Sequence, residues 1–98
     1  MVSEWNDQVS AILVSYDLNT PGQKYEKLYE KIKAYGTYAK ILDSAWIVCR
    51  TGITPESVYT DLKKVLDDGD HIFAVDISSS ARQGWLPQAT WDWIKANV

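Results

Sequence analysis

The stretch Ala11-Ile-Leu-Val-Ser-Tyr-Asp-Leu18, followed at once by Asn19-Thr-Pro-Gly22, decides how this chain is read. An apolar run of strand length bounded by Asn, Thr, Pro and Gly predicts a central strand ending in a turn. It delivers one carboxylate, Asp17, to its exit. Alternation along the strand sets Ile12, Val14, Tyr16 and Leu18 on one face and Ala11, Leu13, Ser15 and Asp17 on the other.

Two segments outside this strand share one grammar. Residues 20–36 open with Thr20 as N-cap, Pro21 at the first helical position and Gln23 placed for a capping box, and they stop at Gly36. Tyr25, Leu28, Tyr29, Ile32 and Tyr35 recur at helical spacing, which gathers them on one face and leaves Lys24, Lys27, Glu30 and Lys31 largely to solvent. Residues 54–69 repeat the Thr-Pro opening and the glycine stop, with Val58, Leu62, Val65 and Leu66 on the buried face. Thr37–Leu42 and Ala45–Arg50 flank Asp43-Ser44 as a hairpin, and His71–Ile77 is a fourth strand with the alternating apolar set Phe73, Val75 and Ile77.

The order β-α-β-β-α-β predicts an α+β, ferredoxin-like βαββαβ sandwich, an antiparallel sheet with two helices on one face. Right-handed crossovers put the first and third strands at the centre and the second and fourth at the edges. The other face then holds Asp17 beside Leu13 and Ala11, joined there by Trp46, Val48 and Arg50. So much apolar surface calls for a protein partner, a second copy, or the chain's own tail. Residues 78–98 are a loop and a short helix carrying three of the five tryptophans, Trp85, Trp91 and Trp93, as an anchor. The whole is one domain, residues 1–98, with its core at about 9–77 and its tail at 78–98.

Composition bounds the function. The chain has 98 residues and a net charge of −3, which disfavours a binder driven by bulk positive charge. The single cysteine, Cys49, sits in an apolar run and has no partner in the chain, pointing to a reducing, cytoplasmic setting. No run reaches the roughly 20 apolar residues that span a bilayer, so no membrane association is expected. No Cys and His spacing suits zinc.

The Tyr16-Asp17-Leu18 strand end, the helix closing on Tyr35-Gly36 and the compact βαββαβ length resemble the CRISPR-associated protein 2 family and its relatives, which include the virulence-associated protein D toxins. The chain is also similar to a bacterial and phage branch labelled SinR-family, whose pattern falls on Tyr16-Asp17-Leu18, Pro21-Gly22, Gly36 and Leu42-Asp43-Ser44-Ala45-Trp46-Ile47-Val48. The resemblance covers roughly residues 11–77. It implies a homodimer formed through the open sheet faces, with the two strand-one aspartates facing each other near the dyad. In some members that pair is linked to a divalent metal and nuclease activity; in others the protein is a non-catalytic subunit that binds DNA with a partner. The chain departs from better-known members in lacking basic residues just after the aspartate and a Gln-x-Ser-Val-Phe-type second strand.

Two function classes stay open. In the first the protein is a metal-dependent endoribonuclease or deoxyribonuclease, or a nucleic-acid-associated subunit. Asp17 is then the ligand of Mg²⁺ or Mn²⁺, with Asn19 or Arg50 assisting, because a hard cation takes carboxylate oxygens and keeps several waters. In the second it is a non-catalytic protein-interaction module, phage- or mobile-element-borne. Each candidate residue has a competing reading: Asp17 as a turn residue paired with Arg50, Asn19 and Ser44 as turn residues, and His71 as an edge residue rather than a general base. Lys24, Lys27, Lys31 and Lys33 interleave with Glu26 and Glu30 as a solvated helix face does.

Overall fold

The structure is a computed structural model and describes residues 8–19 and 23–98. The Thr20, Pro21 and Gln23 capping box falls outside the described residues and side chains. Strands β1 (Val9–Asp17), β2 (Thr37–Leu42), β3 (Ala45–Thr51) and β4 (His71–Asp76) form one antiparallel sheet in the order β2-β3-β1-β4. Helices α1 (Gln23–Lys33), α2 (Pro55–Lys63) and α3 (Gln88–Asn97) complete the fold.

The sheet has a core on each side. On one, Ile12, Val14 and Tyr16 of β1 meet Leu28 and Ile32 of α1 and Val58 and Leu62 of α2. Trp46 and Val48 belong to this helix side, not to the opposite face where the sequence pattern set them. Antiparallel pairing decides it: Val14 stands opposite Trp46 and Ile12 opposite Val48, and residues paired across a sheet share a face. Trp46 Nε1 donates to Tyr16 Oη at 3.0 Å, so the indole N–H is satisfied inside the core. Burial, and then the hydrogen bond with Tyr29, push the Tyr16 hydroxyl well above the usual phenol range.

On the other side Ala11, Ile47 and Cys49 are covered by Ile94 of α3, with Leu13, Ile41, Ile77, Leu86, Trp91 and Trp93 around them. The chain's own tail therefore closes this half of the sheet. Trp85 stands apart at 96% exposed.

The ends of α2 show local physics at work. Thr54 Oγ1 accepts from Ser57 N–H at 3.0 Å while Ser57 Oγ accepts from Thr54 N–H at 2.9 Å, a reciprocal cap behind Pro55. The helix stops at Lys63, earlier than its apolar spacing predicts. Lys64, Val65 and Leu66 donate instead to the carbonyls of Asp61, Leu62 and Lys63, tightening the last turn. Gly36, at φ 95°, ends the passage from α1 into β2 in a conformation that side-chain-bearing residues avoid.

Asp61 ties α2 to α1, accepting from Lys31 Nζ at 3.0 Å and Tyr35 Oη at 3.1 Å. Burial alone would raise its carboxyl pKa, but these two hydrogen bonds outweigh burial and hold it below the usual value. Burial first, and then the bond to Asp61, push Tyr35 up to about 12. A depressed carboxyl contributes stability above its unfolded pKa and loses it as pH falls through the folded value. Acid melting of the wild type is therefore expected to steepen below about pH 4, and the Asp61→Asn variant to show less of that slope. Identical acid limbs would contradict the assignment.

Candidate functional site

Asp17 ends β1 on the face away from α1 and α2, and its side chain is exposed. The β1–β4 register sets His71 directly opposite Asp17, and Phe73 opposite Ser15. All four residues are exposed, Phe73 to 66%. The tail reaches Ile77, just past β4, and stops short of Phe73, which is why a residue of the alternating apolar set lies bare. The sheet face is thus divided, with the half near Cys49 under α3 and the half around Asp17 open.

That open half contains a shallow depression of about 390 Å³ lined by Ser15, Tyr16, Asp17, Ser44, His71, Ile72 and Phe73. Ser44 contributes to its geometry through the main chain, its carbonyl accepting from Tyr16 N–H at 3.1 Å to continue the β1–β3 ladder. A neighbouring hollow of about 350 Å³ shares His71 and Ile72 and adds Asp67, Asp68 and Asp70, which outnumber the one lysine there, Lys63. The Asp17 end of the sheet is therefore acidic.

Asn19 is tied to this rim. Its N–H donates to Asp70 Oδ1 at 2.9 Å, while Asp70 Oδ2 accepts from Asp67 N–H at 2.8 Å. A Cβ placed on Gly69 would overlap the Asn19 side chain, so the strand-one exit and the turn before β4 are packed together. Position 69 accepts only glycine while Asn19 stays where it is.

Arg50 is elsewhere. It pairs with Ser10 at the other end of β1, about 23 Å from Asp17 along the strand at the usual rise per residue. Its guanidinium lies over the Tyr35 ring, 5.7 Å from the centroid. The expectation that Arg50 pairs with Asp17 within the chain is corrected by the antiparallel register.

Several other polar and aromatic side chains are engaged locally. Lys31 is held by Asp61, and Lys40 Nζ donates to Tyr29 Oη at 3.3 Å. Tyr25, Tyr29 and Tyr35 pack against the helix-side core. Cys49 is buried with its thiol pKa pushed up by burial, and its Sγ lies 3.6 Å from the Asn97 carbonyl of α3.

Among the described residues no three His, Cys, Asp or Glu side chains converge as a metal-holding group, so one chain offers Asp17 as a single carboxylate with His71 across from it. No described helix is long and apolar enough to cross a membrane. Sequence reasoning had Asp17, Asn19 and His71 in view, but it missed Phe73 as an exposed neighbour, for which the pattern carries no signal. Comparison with protein-family models gives no match, and comparison with curated proteins gives none either.

Proposed function

We propose that this chain is a ferredoxin-like protein of the CRISPR-associated protein 2 type that pairs with a second copy and acts on nucleic acid at the Asp17 end of its sheet. The observation that supports it is the exposed Asp17 carboxylate beside an exposed Phe73, on the one half of the sheet face that α3 leaves open. An aromatic side chain this exposed is a natural anchor for a second surface. Two copies meeting there bring two Asp17 carboxylates together, a donor set suited to a hard cation that keeps its waters and takes phosphate oxygens. A bound Mg²⁺ or Mn²⁺ would supply Lewis-acid stabilisation of the phosphate and an activated water. Asp17 would hold the ion, with His71 opposite it across the ladder.

In the test, the purified protein is incubated with single-stranded RNA and duplex DNA, with and without Mg²⁺ or Mn²⁺, and its mass is taken by light scattering. The expected result is a dimer, a melting temperature raised by the ions, and slow cleavage. Asp17→Asn should lose the metal response and the cleavage while keeping its metal-free melt. A wild-type protein that neither binds these ions nor binds or cleaves nucleic acid would overturn the proposal. That outcome would favour the protein-interaction reading, which rests on Asp67, Asp68 and Asp70 beside His71, since carboxylates repel phosphate.

A further inference from the structure

The tail does not seal the covered half of the sheet completely. Between them lies a cavity of about 200 Å³, floored by Leu13, Ile41, Ile47 and Ile77 and roofed by Leu86 and Trp91. Its walls also include Ser80, Ala81, Arg82, Gln83 and Ile94. An apolar floor with a few polar groups at its wall suits the apolar part of a small ligand. A second depression of about 360 Å³ shares Arg82, Trp91 and Ile94 with the first and adds Gln88, Asp92 and Lys95. An apolar chamber therefore opens beside two cations.

Arg82 is the residue common to both spaces that carries charge, and it is held in place. Its Nε donates to the Ser80 carbonyl at 3.1 Å, and its Nη2 to the carbonyls of Ile77 at 2.9 Å and Ser80 at 3.0 Å. Nη1 donates to no described residue, which leaves its hydrogens for an acceptor from outside. The one carboxylate in the depression, Asp92, is engaged by Gln88 Nε2 at 2.9 Å. Arg82 and Lys95 together outweigh it.

The geometry points to a binding site for a small amphipathic anion, an aryl or short acyl carboxylate, with its apolar part in the cavity under α3 and its carboxylate on Arg82 and Lys95. An apolar pocket with a few convergent polar groups is the usual form of such sites, and a guanidinium held by backbone carbonyls presents its remaining donors at fixed geometry. The site lies on the opposite half of the sheet face from Asp17 and does not depend on the function proposed for that residue. Being roofed by α3, it also lets a ligand hold the tail down.

The probe is 3-phenylpropionate, titrated into the full chain with amide and indole resonances followed by NMR, alongside the uncharged 3-phenylpropanol and acetate. Saturable shifts at the Trp91 indole and Ile94 are expected for the acid, with binding about tenfold weaker for the alcohol and none for acetate. Arg82→Gln should erase the preference for the acid, and Ala81→Leu, which adds bulk at the cavity's lining, should weaken binding of both. No saturable shift, equal affinity of acid and alcohol for the wild type, or unchanged binding to Ala81→Leu would overturn the site.

Discussion

A chain ending at Ser80 is expected to melt far below the full-length protein and to expose Cys49 to a thiol reagent at once. The deletion removes Ile94, which is 6% exposed, and the cover that Leu86, Trp91 and Trp93 give to Ala11, Ile47 and Cys49. Full burial of a side chain of this size contributes about 1.5–3 kcal/mol, so losing the group removes on the order of 4 kcal/mol or more. Small domains hold only about 5–15 kcal/mol in total. Calorimetry with a thiol-labelling time course checks it: an unchanged melt and an unreactive Cys49 would show that α3 does not rest on the sheet.

Trp46→Ala should be as damaging from the other side of the sheet. Trp46 is 4% exposed, contacts the rings of Tyr29 and Tyr38, and donates to Tyr16 Oη. Removing a buried tryptophan costs about 3–5 kcal/mol, and the variant leaves Tyr16 without that donor. Trp85→Ala is the control, since Trp85 is 96% exposed and its removal should leave the melt within about 0.5 kcal/mol of wild type. Chemical denaturation distinguishes the two. A mild Trp46→Ala would return that residue to the opposite face, where the sequence pattern first set it.

That misplacement shows where a sequence stops speaking. Along β1 the polar Ser15 and Asp17 mark the open face, and the structure sets Ile12, Val14 and Tyr16 toward the helices as the alternation requires. Along β3 the run Trp46 to Cys49 is apolar at every position because both faces are covered, one by α1 and α2 and the other by α3. Alternation then carries no information, and the pairing register alone decides the face. The end of α2 failed differently: Val65 and Leu66 keep helical spacing, but the hydrogen bonds tighten into a turn once Asp67 and Asp70 bond one another. The candidate site was legible in Asp17 because a carboxylate at a strand exit stands out locally. Its neighbours His71 and Phe73 come from a distant part of the chain, and the distance of Arg50 from Asp17 within the chain follows from a pairing that no local pattern encodes.

The functional reading rests on Asp17 as the point where a divalent cation meets the protein, and Mn²⁺ reports this directly by broadening nearby amide resonances. With substoichiometric Mn²⁺ added to the labelled protein, the amides of Asp17 and His71 should be lost first, those around Cys49 should stay sharp, and Asp17→Asn should remove the effect. Broadening centred on Asp67–Asp70 and unchanged in Asp17→Asn, or no selective broadening at all, would contradict it.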